Sequence, residues 1–293
     1  MSKYKLTRNK AGYPIGGYRI DLEEKRELVA SSTDVGHILQ SKIKSPRVFD
    51  PRSLFKLDPT KDMRVEDQGQ VGSCAGWGGS SAVELSNWIQ TKRMTQFSAN
   101  FLYISAQKED GLSGDVGATI NGCARVLEKY GIPDENVWPY PGRYDPRPPG
   151  SWDDVHRAAA KNKVGSHTVL NSAEDVVQYL RAGLGGVQIG ISWGGDVDRN
   201  GQFQWKPGGG GHSVCFLGWN NEGEMLLWML NSWGTKWGKG GWALVSMRTL
   251  EAMFRHPHTV MIGYSVMADP DITDIPVDFS KGTTVIPGRG GRK

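Results

Sequence analysis

The chain has 293 residues, 35 Lys and Arg against 31 Asp and Glu, and a formal net charge of +4. That length supports one large domain or two small ones with a real core, and no run approaches the roughly 18 apolar residues of a membrane span. The charges are interspersed, and no basic stripe interleaved with aromatics points to a nucleic-acid partner.

Residues 1–45 form an N-terminal extension. It contains Gly12-Tyr13-Pro14-Ile15-Gly16-Gly17-Tyr18, a short charged helix candidate over Asp21 to Ala30, and a turn or cap at Ser31 to Asp34. A surface extension is the plainer expectation, and a short segment covering a cleft is the alternative. The basic start, Met1 to Arg8, has no apolar stretch behind it, unlike a secretory leader. The three cysteines, Cys74, Cys123 and Cys215, are too few for a disulfide scaffold. Together these features predict a cytoplasmic or otherwise non-secreted protein, with association with a virus particle as the alternative.

Asp67-Gln68-Gly69-Gln70-Val71-Gly72-Ser73-Cys74 places a cysteine after a small-residue turn. Ser80 to Arg93 reads as a helix, with Val83, Leu85, Trp88 and Ile89 as its apolar stripe. Cys74 then sits at or near a helix N-terminus, where unpaired N–H groups and the helix dipole favour a thiolate. Ser98 is the cap of a second helix, and a third runs from Thr119 to Tyr130, stopped by Gly131 and Pro133. Cys123 falls inside that third helix and reads as an inert buried thiol.

A Pro-rich stretch over Pro139 to Gly150 suggests a crossover between lobes. Helices follow over Trp152 to Lys161 and from the Ser172 cap to Gly183. The pattern then changes to strands, expected over Val187–Trp193, His212–Trp219, Met225–Leu230, Gly241–Met247 and Val260–Met267. Helices first and strands after predict an α+β chain of two lobes. Asp196 to Gly201 matches the first half of a calcium loop, but Pro207 stands where a bidentate Glu is needed. It reads as a polar hairpin, and no structural metal spacing appears elsewhere, His256 and His258 included. The tail, 269–293, is expected to be irregular.

Two further segments bear on Cys74. Gly209-Gly210-Gly211-His212 enters a strand, and Asn231-Ser232-Trp233-Gly234 follows another. A thiolate needs a proton acceptor, and acyl chemistry needs donors for an oxyanion. With Gln68-Gly69 before the cysteine, these segments resemble the papain-like cysteine peptidases over about residues 46–268.

The resemblance implies a papain-like α+β fold. Its helical lobe would span about 46–165 and its antiparallel, barrel-like β lobe about 166–268, with the active-site cleft between them. It implies a peptidase needing no cofactor and acting on polypeptides, with Cys74 as nucleophile, His212 as base and acid, Asn231 orienting the imidazole, and Gln68 in the oxyanion hole. Gly117 and Ala118 would line the substrate cleft, with Ala118 where relatives carry glycine, and Trp233 would shield the Asn–His bond. Val71 and Asp115 stand where relatives often have a disulfide, and Ala75 replaces the usual aromatic after the cysteine. A thiol amidase or isopeptidase using the same residues is one alternative. An idle structural or binding protein that keeps the fold is another.

Overall fold

The computed structural model of the chain describes residues 6–19, 32, 45–55 and 65–265. The candidate helix over 21–30, most of the turn at 31–34 and the 269–293 tail lie outside them.

Near the N-terminus, β1 (Thr7–Arg8) pairs antiparallel with β2 (Pro14–Ile15). The short β3 (Val48–Phe49) precedes a 3-10 turn over Pro51–Phe55. The long helix α1 (Cys74–Thr91) packs with α2 (Ala99–Glu109) and α3 (Ile120–Lys129) to make the helical lobe. Two of these starts are set by local chemistry. Ser98 Oγ accepts from Phe101 N at 3.0 Å and Thr119 Oγ1 from Gly122 N at 2.8 Å, satisfying N–H groups that the first turn leaves without a partner.

Helix α1 begins six residues before the periodic apolar pattern that predicts it. Gly76, Gly78 and Gly79 lower helix propensity, yet each lies within the helix. A Cβ on Gly76 would come 2.5 Å from Ala99 O, and one on Gly78 2.6 Å from Ser213 Oγ. Close packing of α2 on one side and the sheet on the other therefore requires glycine, and burial outweighs propensity here.

Helix α4 (Trp152–Ala159), continued by a 3-10 turn over Ala160–Asn162, leads to β4 (His167–Val169) and α5 (Ala173–Arg181). The strands β5 (Val187–Val197), β6 (Phe203–Asn220), β7 (Leu226–Leu230) and β8 (Trp242–Ser246) follow, then α6 (Met247–Phe254) and β9 (Val260–Tyr264). Among the described residues the main sheet runs β4-β9-β5-β6-β7-β8, with β3 on β6, and all its pairings are antiparallel. Helix α6 was absent from the sequence expectation. Ser246 starts it by accepting from Thr249 N at 3.2 Å, where an unbroken strand to Met247 was expected.

The calcium-like stretch is the tip of the β5–β6 hairpin. Asp198 Oδ1 accepts from Asn200 N at 2.8 Å and Gln202 N at 3.0 Å. Those bonds fold a turn. No group of three or more His, Cys, Asp or Glu able to hold a metal occurs among the described residues. No helix among them is long and apolar enough to cross a membrane.

Candidate active site

Cys74 is the first residue of α1. The turn before it is built by Gly69, at φ +60°, and by the Asp67 carboxylate, which accepts from Gly69 N at 2.8 Å. Gly72 N donates to Asp115 Oδ1 at 2.9 Å, and Tyr103 OH donates to the same oxygen at 2.8 Å. Asp115 thus makes a polar tie at the place where the resemblance puts half of a disulfide. The three cysteines are all free and buried, and Cys123 lies against Ala75 O.

Gln68 is 1% exposed and held on every side. Its N donates to Ser232 O at 2.8 Å, its Nε2 to Val71 O at 2.8 Å, and its Oε1 accepts from Ser232 Oγ at 2.7 Å. Tyr140 OH reaches Gln68 O at 2.9 Å and Ser73 Oγ at 2.6 Å. The carboxamide carries a second N–H and is fixed by these partners beside the cysteine turn.

His212 and Asn231 come from neighbouring strands of the sheet. His212 lies in β6 opposite Ile191 of β5, and Asn231 directly follows β7. His212 Nε2 is 2.8 Å from Asn231 Oδ1. That oxygen also accepts from Ser232 N at 2.8 Å, so the acceptor faces the ring and Nε2 carries the proton. Nδ1 is then the bare nitrogen, and it is buried without a hydrogen-bond partner. Trp233 stacks on the imidazole at 4.5 Å and Trp193 meets it edge-on at 4.7 Å, closing the Asn231–His212 bond inside an aromatic box. The backbone N–H of Ser213, next to His212, lies near enough to the Cys74 sulfur to favour its thiolate. The two lobes therefore meet at Cys74.

The N-terminal extension lies across this site. Ala118 N donates to Gly17 O at 3.0 Å and Arg19 N to Ala118 O at 3.0 Å, a parallel bridge at Tyr18. From the other wall, Gly211 O accepts from Gly16 N at 2.7 Å. A Cβ on Gly17 would come 2.5 Å from Gly72 O and 2.8 Å from Cys74 Sγ. Ala118 pairs with the extended backbone of residues 17–19, so the chain's own segment lies along the Gly117–Ala118 wall.

Electrostatics follow from that cover. Cys74 and His212 are both 0% exposed. Burial pushes the Cys74 thiol up to about 12, against smaller lowering effects of nearby N–H groups. Burial likewise lowers His212 to about 4, against the raising effect of Asn231. The helix N-terminus was expected to favour a thiolate. In the covered site desolvation of the charged forms is the larger effect, and the pair is a neutral thiol and a neutral imidazole.

The sequence reading quoted Tyr13, Gly16, Gly17, Tyr18 and Ser232 only within longer stretches, and it assigned no role to them or to Tyr140 and Tyr103. The signal for the covering segment was the paired Gly16-Gly17 between Ile15 and Tyr18, since paired glycines mark close approach of backbones.

Comparisons with known proteins agree with this architecture. Residues 45–260 match the papain family cysteine protease profile. An uncharacterized peptidase C1-like protein of Acanthamoeba polyphaga mimivirus is 28% identical over 212 residues, covering 67% of each chain. Cysteine proteinase 1 of Entamoeba histolytica is 26% identical over 233 residues, covering 74% of this chain and 68% of that protein. Among solved structures, xylellain, a cysteine protease from Xylella fastidiosa, superposes with a TM-score of 0.65 at 23% identity, covering 89% of this chain and 99% of that one. The ragweed pollen cysteine protease Amb a 11 in its proform gives 0.60 at 20% identity, covering 90% and 80%. The fold is the two-lobed α+β fold of thiol peptidases. The chain belongs to the papain family of cysteine proteases, and such proteases act on polypeptides.

Proposed function

We propose that the chain hydrolyses peptide bonds through an acyl-enzyme on Cys74, and that residues 13–19 hold the enzyme silent until they are displaced. The observation that carries the reading is the state of His212: Nε2 is committed to Asn231, Nδ1 is buried without a hydrogen-bond partner, and the next residue, Ser213, borders Cys74.

Once the cover is gone, water re-enters and the desolvation penalty on both charged forms falls. Nδ1 then takes the thiol proton, and the sulfur attacks the scissile carbonyl carbon. The carbonyl electron pair moves to oxygen, where the Cys74 N–H and the free Gln68 N–H stabilise it. The tetrahedral adduct collapses with cleavage of the C–N bond, and the leaving amine takes the proton from Nδ1. A water then gives its proton to Nδ1 and attacks the thioester. The acid product leaves, and the proton returns to sulfur. Asn231 keeps the tautomer and orientation through the cycle without needing a charge.

The covering segment does not offer its own carbonyls for this step. Gly17 O is bonded to Ala118 N, and a Cβ on Gly117 would come 2.6 Å from Gly17 O and 3.0 Å from Gly16 O. Both oxygens therefore face the helical-lobe wall, away from Gln68.

The test compares the full chain with Gly17→Ala, whose methyl collides with Gly72 and the sulfur. Iodoacetamide labelling read by mass spectrometry is expected to be slow at Cys74 in the parent and at least about tenfold faster in Gly17→Ala. Peptide-hydrolysing activity should appear in Gly17→Ala and vanish on adding Cys74→Ala or His212→Ala. Rapid labelling without any peptide hydrolysis would refute the peptidase reading.

A further inference from the structure

A single buried carboxamide joins the two lobes through the chain neighbours of Cys74 and His212. Gln188 lies in β5, is fully buried, and reaches from the sheet to the first turn of α1. Its Nε2 donates to Ala75 O at 2.8 Å and to Ser213 Oγ at 3.0 Å. Ala75 is the residue after Cys74, and Ser213 is the residue after His212. The Gln188 Oε1 accepts from Tyr264 OH of β9 at 2.6 Å.

The partners settle which way the amide points. Ala75 O can only accept, so the nitrogen faces it, and the oxygen takes the Tyr264 proton. Both N–H groups and the oxygen are then used, as a buried amide requires. Helix α1 makes room for the tie with two adjacent glycines. A Cβ on Gly78 would come 2.6 Å from Ser213 Oγ, and one on Gly79 would come 2.8 Å from Leu102 Cδ2 and 3.1 Å from Gln188 Oε1. None of the three hydrogen bonds goes to the sulfur or the imidazole, so the contribution of Gln188 is placement. It holds the carbonyl one residue past the sulfur. It also holds Ser213, whose N–H lies near enough to that sulfur to favour its thiolate. Misplacing reacting groups by about 1 Å costs roughly 10²-fold in rate.

We propose that Gln188 is a positioning residue for the peptidase reaction. It sets Cys74 against His212 across the lobe boundary, through Ala75 and Ser213, while Tyr264 keeps the amide from turning. The proposal rests on the peptidase reading above.

The experiment uses the full chain in the Gly17→Ala background and compares three variants. Gln188→Met keeps the length of the side chain and removes its polar atoms. Gln188→Glu, protonated at about pH 5 in so buried a place, offers an oxygen to Tyr264 OH and an O–H to Ala75 O. Tyr264→Phe is milder, because it removes only the partner of Gln188 Oε1 and frees the amide to turn. In the first arm, Cys74 is labelled with iodoacetamide at two pH values. At about pH 5 labelling needs the thiolate–imidazolium pair, whereas at about pH 9 an ordinary thiol of pKa about 8.5 is ionised in any case. Gln188→Met should label about tenfold slower or more at the lower pH and stay within about twofold at the higher. Gln188→Glu should recover most of that loss at about pH 5, and Tyr264→Phe should fall between. In the second arm, peptide cleavage at about pH 5 should show the same order in kcat, with KM within about twofold throughout.

A labelling loss equal at the two pH values would be general damage to the fold and would overturn the proposal. So would equal rates in Gln188→Glu and Gln188→Met at the lower pH, or a change confined to KM. If Gln188→Met does not fold, Tyr264→Phe decides, and labelling at about pH 5 unchanged from the Gly17→Ala background overturns the proposal. If the Gly17→Ala background cleaves no peptide, the peptidase reading fails, and the labelling arm still decides whether Gln188 sets the Cys74–His212 pair.

Discussion

Tyr13 lies flat on Trp233, with ring centroids 4.6 Å apart and planes 1° from parallel. Trp233 in turn stacks on His212, so the N-terminal segment caps the aromatic that covers the Asn231–His212 bond. An aromatic pair of this kind contributes about 0.5–1.5 kcal/mol beyond its buried area. Tyr13→Ala should therefore raise the open fraction and speed Cys74 labelling by roughly 3- to 10-fold, while Tyr13→Phe stays near the parent. Equal rates in the two variants would show that the stack does not hold the cover.

Asp115 ties together the two loops that flank the sulfur. Its Oδ1 accepts from Gly72 N and from Tyr103 OH, and the Tyr103 oxygen accepts from Gly117 N at 3.2 Å. Tyr103 is 0% exposed, and a buried hydroxyl that loses its partner costs about 1–3 kcal/mol. Asp115→Ala should lower stability to urea by that amount, whereas Asp115→Asn, which keeps an acceptor oxygen, should lose less than half as much. A double-mutant cycle with Tyr103→Phe should show coupling near 1 kcal/mol. Strict additivity would mean that the two loops are held by other contacts.

In the proposed reaction Asn231 acts only through His212, whose Nε2 it holds at 2.8 Å. In the Gly17→Ala background, Asn231→Ala should cut kcat by roughly tenfold or more with little change in KM, because it frees the imidazole to turn without touching bound peptide. Asn231→Gln, which carries the same amide on a longer stem, should not restore the rate. A loss confined to KM would place Asn231 in substrate binding instead.

How much of this was legible in the chain depended on the range of the forces involved. Cys74, Gln68, His212 and Asn231 stood out in the sequence because the proposed nucleophile, oxyanion donor, base and orienter need particular functional groups. The caps at Ser98, Thr119 and Ser172 were readable because each side-chain oxygen satisfies an N–H three residues on, as Ser172 Oγ does for Asp175 N at 3.0 Å. Cys74 was placed at or near the start of α1, but the turns between it and Ser80 lay outside the apolar pattern, because Gly76 and Gly78 look like a turn until α2 and β6 press on them. The strand through Gly208–Gly211 was hidden for a related reason. A Cβ on Gly211 would come 2.1 Å from Tyr18 O, so that run has no side chains because another backbone lies on it. The covering segment itself is a contact between residues far apart in sequence, and no local pattern encodes its partner.

Two buried titratable groups give stability opposite slopes with pH. Burial, helped by Glu66 and Glu135, raises Glu84 to about 8 from 4.5, against the lowering effect of the Phe97 N–H that Glu84 accepts at 2.9 Å. A raised carboxyl binds more protons folded than unfolded, so its contribution is full below pH 4.5 and is lost as pH rises through 8. His212 runs the other way. Its folded value of about 4 lies below 6.5, so its contribution is full above pH 6.5 and is lost as pH falls through 4. Stability to urea should therefore peak between these limbs. Glu84→Gln keeps an oxygen for Phe97 N and removes the proton. It should flatten the alkaline limb, adding on the order of 2 kcal/mol relative to the parent at pH 8.5, and leave the acid limb in place. An alkaline limb unchanged in Glu84→Gln would mean that Glu84 is ionised in the folded chain, with a cation or water meeting its charge.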